Sequence, residues 1–216
     1  MSSAKRPDPV SRRPGPRRAK GLPTGPEEVR AAVIAAASEL FARQGVGEVS
    51  LREIAATAQV NPALISRYIG TRDALVRAVF ADLTARLVSE ITTAPSASRG
   101  FDPDTVMGKW TRVLTHLVLT DIDAAIEIGR APVEALSDVV EGLYDQDRDA
   151  ARLRVAQLMG SAIGWRLFEP YLVAAADLDS LEIDDVRDEL TRTHRRLAAT
   201  PLPSPPDPQE LPLEER

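Results

Sequence analysis

The sequence predicts an all-α protein: an N-terminal three-helix unit carrying a helix-turn-helix, then a larger helical body, about nine helices in all. Three observations support this. Apolar residues recur at i, i+4 and i+7 along most of the chain between residues 29 and 199. The chain is 44% hydrophobic but only 4% aromatic, an aliphatic mixture that favours helices over a β-sandwich. Helix-start signals stand at Ser50, Asn61 and Thr71, each followed by a helical pattern.

The elements follow in order. Val29, Val33, Ala36, Leu40 and Phe41 make one face of a first helix. Pro26 suits its first position, Glu27 and Glu28 its positive end, and Gly45 its close. Ser50-Leu51-Arg52-Glu53 reads as a capping box: the Ser50 hydroxyl takes the Glu53 N–H and the Glu53 carboxylate reaches back. A short helix over about 51–58 follows, with Leu51, Ile54, Ala55 and Ala58 inward. Asn61-Pro62 starts another, over about 62–68, with Leu64, Ile65 and Tyr68 or Ile69 inward. Gly70-Thr71 ends it and caps a long helix over about 72–92, striped by Leu75, Val79, Leu83, Leu87 and Ile91. Two short helices joined by Gln59, Val60 and Asn61 bury little alone, so the helices on either side must complete their core. Further helices are expected over about 104–119, 121–130, 132–146, 149–175 and 182–199. Pro132 reads as a helix start, and Pro170 as a kink or an end at Glu169.

Of seventeen prolines, six lie in the first 26 residues and six in the last 17. Proline lacks the N–H that helices need, so residues 1–25 and 200–216 are expected to be disordered tails. The helix-turn-helix unit then spans 26–72 and the helical body 73–199.

The net charge of −5 hides a gradient. Residues 1–26 hold seven basic groups against Asp8 alone, residues 27–80 are neutral, and residues 81–216 carry −11. A basic arm, a neutral unit and an acidic body point to one end that meets nucleic acid and one that does not. There is no cysteine, which removes disulfides, thiol nucleophiles and Cys-ligated metals. His116 and His194 are the only histidines, too few for a multi-histidine metal site. No metal and no cofactor is expected. No Gly-rich phosphate loop appears, and Ser, His and carboxylate residues stand at no persuasive spacing, so an enzyme is not expected. No apolar run is long enough to span a membrane, and the basic N-terminus has no apolar segment behind it. A cytoplasmic protein with no membrane partner is expected.

Residues 30–80, from RAAVIAAASELFARQG to RYIGTRDALVRAVF, closely resemble the DNA-binding domain of the tetracycline-repressor (TetR) family. The resemblance implies that the helix opening at Pro62 is a recognition helix laid in the major groove. It implies that Ala63, Arg67 and Tyr68 face bases or phosphates, and that Ser50 meets a phosphate. Arg72 stands where relatives usually carry Lys, and its guanidinium can hold phosphate bidentately. Arg52, Asn61, Pro62, Ser66 and Thr71 complete the expected DNA-binding set. Three residues depart from the family pattern. Gln59 replaces the turn glycine and is asked to take a positive φ at roughly 1 kcal/mol. Ser66 replaces a common Tyr, and Ile69 a common Phe.

The resemblance also implies a dimer built from the last two helices. Ala156, Gly160 and Gly164 offer a small-residue face, and Ile183, Val186, Leu190, Thr193 and Leu197 an amphipathic one. Intrachain packing is the competing reading of both. An effector pocket would lie in the body, with Met107, Trp110, Leu114, Leu117, Tyr144, Trp165 and Phe168 available to line it and His116, Arg166 and Glu169 as polar contacts. Core packing competes for each aromatic, and a surface or hydrogen-bonded structural role for His116. The expected partners are a double-stranded palindromic operator, a second copy of the chain and an unknown small molecule that releases a repressor from DNA. The alternative is a helical interaction module whose degenerate helix-turn-helix does not bind DNA.

Overall fold

The computed structural model describes residues 22–94 and 104–200. The expected arm and tail lie outside them, apart from residues 22–25 and Thr200. Eight helices and no strand occur among the described residues: α1 (Pro26–Gln44), α2 (Leu51–Thr57), α3 (Pro62–Tyr68), α4 (Arg72–Thr93), α5 (Val106–Thr120), α6 (Ile122–Tyr144), α7 (Arg148–Ala175) and α8 (Ile183–Ala199).

Helices α2, α3 and α4 stand where their caps predict, and α1 opens at Pro26. Ser50 Oγ accepts from Glu53 N at 3.2 Å, Asn61 Oδ1 from Ala63 N at 2.9 Å, and Thr71 Oγ1 from Ala74 N at 3.1 Å. The reciprocal half of the capping box is replaced: the Glu53 carboxylate accepts from Gln44 Nε2 at 2.7 Å, joining α2 to the end of α1. Gly45 closes α1 at φ 92°, and Gly70 separates α3 from α4 at φ 106°, both in the left-handed region open to glycine.

One core runs from α1 through α6. The predicted stripes of α1 and α4 are buried in it. Phe80 and Trp110 stack with ring centroids 5.5 Å apart, and Trp110 Nε1 donates to Thr84 Oγ1 at 2.9 Å. Gly129 lets α6 approach this pair: a Cβ there would stand 3.3 Å from Phe80. A smaller cluster of Val140, Ala151 and Val155 joins α6 to α7.

One expectation about proline is corrected. The helices expected over 121–130 and 132–146 are one, α6, with Pro132 buried inside it, so residues 104–199 form four helices rather than five. A mid-helix proline removes one hydrogen bond at a cost of about 3 kcal/mol, and α6 tolerates it because α4 and α7 pack along its length. The helix expected over about 149–175 is α7, Arg148–Ala175, and it continues through Pro170 rather than ending at Glu169, the other reading of that proline.

Candidate nucleic-acid interface

Helix α2 ends in a Schellman motif: Val60 N donates to Ala55 O at 2.9 Å and Gln59 N to Ala56 O at 3.1 Å. Gln59 occupies the left-handed position there, at φ 55°. The turn therefore makes of Gln59 what glycine would do more cheaply. Ile54, Ala55 and Ile65 lock α2 and α3 onto α1 from within. Leu64, Tyr68 and Ile69 pack at the margin of the same core.

This packing decides what α3 presents. Pro62, Ala63, Ser66 and Arg67, at i, i+1, i+4 and i+5, are all exposed on one side. The Arg67 guanidinium carbon lies 5.4 Å from the centre of the Tyr68 ring, which steadies a long side chain at the end of the row. Ser50 and Arg52 are exposed at the start of α2, and Asn61 and Thr71 are exposed at the two ends of α3. Ser50, Asn61 and Thr71 accept backbone N–H bonds as caps, and the Ser50 and Thr71 hydroxyls keep a proton to donate. Arg72 differs from the rest. It is half-buried, and its guanidinium donates to Val49 O at 2.6 Å and to Val46 O.

Residues 33–79 match the sequence pattern of the bacterial regulatory proteins of the tetR family. An HTH-type transcriptional repressor of Mycobacterium tuberculosis is 38% identical over 182 residues, covering 82% of this chain and 93% of that protein. An HTH-type transcriptional regulator of Mycobacterium bovis matches to the same extent. The chain belongs to the TetR family. Solved structures share the fold. A tetR-family transcriptional regulator of Streptomyces coelicolor superposes with TM-score 0.55 at 17% identity, covering 81% of this chain and 82% of that one. A transcriptional regulator of Aquifex aeolicus superposes with TM-score 0.53 at 10% identity, covering 78% of this chain and 99% of that one.

In this TetR-family regulator the body residues fall into distinct settings. Trp110 and Leu117 are core; Met107 and Leu114 pack at its edge. Tyr144 packs on the small α6–α7 cluster. Trp165 is half-buried and donates to Glu169 Oε2 at 3.0 Å. Phe168 is 56% exposed, on the outside of α7. A groove of about 560 Å³ opens elsewhere, lined by Arg30, Ile69, Thr71, Asp73, Arg77 and Ile128 among others, where α1, α3 and α4 meet α6.

On the predicted pairing face, Ala156 and Gly160 are exposed, Gly164 is half-buried, and a Cβ on either glycine would meet nothing within 4 Å. Val186, Leu190 and Leu197 are half-buried along α8. Several polar residues went unnoticed in the sequence. Arg154, 4% exposed, donates to Thr200 O at 2.6 Å and Gln157 Oε1 at 2.9 Å, and Gln146 Nε2 donates to Ala198 O at 2.9 Å. These bonds dock the C-terminal end of α8. Burial pulls the Arg166 guanidinium down to about 10, against the opposing pull of Glu169. No local pattern marks the bonds of Arg154 to Thr200 and of Gln146 to Ala198, because these partners lie 46 and 52 residues away. No group of His, Asp and Glu fit to hold a metal occurs among the described residues, and no described helix is long and apolar enough to cross a membrane.

Proposed function

We propose that the chain is a dimeric repressor that binds a palindromic operator and is released by a small molecule. The exposed row Pro62, Ala63, Ser66 and Arg67 on α3 carries this reading. A short helix with one arginine and small neighbours reads few base pairs, so much of the affinity comes from phosphates. Ser50, Arg52, Asn61 and Thr71 flank the row and supply those contacts. The basic arm, Arg12 to Lys20, adds further phosphate or minor-groove contacts.

Pairing of two copies through α7 and α8 sets the spacing of two α3 helices, one helical turn of DNA apart. The support is that α7, 28 residues long, buries only Ala151, Arg154 and Val155, all near its start. Beyond them, Ala156, Gly160, Leu167 and Tyr171 lie exposed at helical spacing. The effector is received among the body helices α5 to α8, and its binding favours a spacing unsuited to successive major grooves. The relatives are named as a transcriptional repressor and regulators, which supports repression. The chain acts in the cytoplasm, without catalysis, as 26–72 reading DNA and 73–199 pairing and sensing.

Selection from random duplex DNA tests the proposal. A recovered palindrome, bound by a dimer with a steep salt dependence, is the expected result. Failure to enrich any sequence, or binding by single chains, rejects it.

A further inference from the structure

We propose that Arg72 serves DNA binding as a positioning residue, by fastening the α1–α2 loop to the start of α4 rather than by holding a phosphate. This rests on the DNA-binding reading above.

The observation is the direction of the guanidinium. Nη1 donates to Val49 O at 2.6 Å and Nη2 to Val46 O, so both arms of the fork point into the loop that precedes Ser50. The side chains of the same two valines are buried, at 4% and 1% exposure. The loop is thus held twice, by its side chains from below and by its carbonyls from α4. Position matters because a cation at the first position of a helix opposes the helix dipole. Two carbonyl acceptors offset that cost locally and leave the charge engaged.

The fastening has a reader-side consequence. Ser50 and Arg52 sit immediately after the tied loop, and Ser66 and Arg67 sit on α3, which leads directly through Gly70 into Arg72. Arg72 therefore bridges the two ends of the helix-turn-helix and sets where Ser50 and Arg52 stand relative to the α3 row. A planar fork spans two carbonyls held 26 and 23 residues upstream, and a lysine ammonium, a single point donor, does not reproduce that geometry.

The test compares the full-length protein with Arg72→Lys and Arg72→Gln on an operator duplex obtained by selection, across a salt series. If Arg72 positions, Lys fails to rescue: both variants bind roughly tenfold more weakly, and both keep the wild-type slope of log K against log salt. If Arg72 instead holds a phosphate, Lys restores binding, and Gln flattens the slope by about 0.9, which overturns the proposal. Amide exchange over residues 46–50 gives a second reading without DNA. Faster exchange in Arg72→Lys than in wild type is expected, and unchanged exchange overturns the fastening. In the unmodified protein, the Arg72 side-chain NMR signal should stay in place on adding duplex; a large shift there also overturns it. Should no duplex bind wild type, the function reading fails, while the exchange result still decides the fastening.

Discussion

Arg187 of α8 grips Glu169 of α7 through two bonds, Nη2 to Oε1 at 2.6 Å and Nε to Oε2 at 3.0 Å. Trp165 Nε1 adds a third bond to the same carboxylate. Removing one partner strands the other in a largely covered site. Arg187→Ala should therefore lower stability by about 1–2 kcal/mol, read as a lower urea midpoint, and free α8 to be cut by protease. An unchanged midpoint would show that the pair contributes nothing.

Acid should loosen the same helix pair in two steps. The bonds from Arg187 hold the Glu169 carboxyl below 4.5. Burial, with Arg166 nearby, holds His194 below 6.5. Both groups bind protons more readily when unfolded, so the stability each contributes is complete above its unfolded value and lost as pH falls through its folded one. Melting temperature should start to drop below about pH 6.5 and drop again below about 4.5. His194→Gln should remove the upper step and leave the lower.

Arg67 is exposed and ends the row on α3. Arg67→Ala should weaken operator binding by about 1–3 kcal/mol and relax the preference at one base step, or lower the salt slope by about one if its contact is to phosphate. Thermal stability should hardly change. Binding indistinguishable from wild type, in affinity and slope, would remove Arg67 from the interface.

Gly160 tests the pairing surface cleanly, because a Cβ there meets nothing within the single chain. Gly160→Leu should leave helicity and melting of the isolated chain intact. Sedimentation should show monomers, and operator affinity should fall steeply. A persistent dimer would move the interface elsewhere.

Gln59 holds φ 55° in the turn between α2 and α3. Gln59→Gly should stabilise the fold by up to about 1 kcal/mol, since glycine enters that region freely. Denaturant titration would register this, and a loss of stability would mean that the Gln59 side chain makes a contact worth more than the strain.

Local chemistry was legible wherever cause and effect lie within one turn of chain. Ser50, Asn61 and Thr71 cap the helices they precede, and Val29 to Phe41 and Leu75 to Ile91 face inward, because caps and stripes act through neighbours three or four residues away. Pro132 misled for the complementary reason. Its cost is local, but α4 and α7, which hold α6 straight past it, come from distant sequence.

The order of helices, the turn at Gln59, and the likeness of residues 30–80 to a DNA reader could be taken from the letters alone. Folding in three dimensions decided that Trp110 is stacked core, that Phe168 stands outside, and that Arg72 turns toward Val46 and Val49. Each of these depends on which helices meet, and pairings between segments tens of residues apart arise from the sum of many weak packing terms that leave no mark at the single residue.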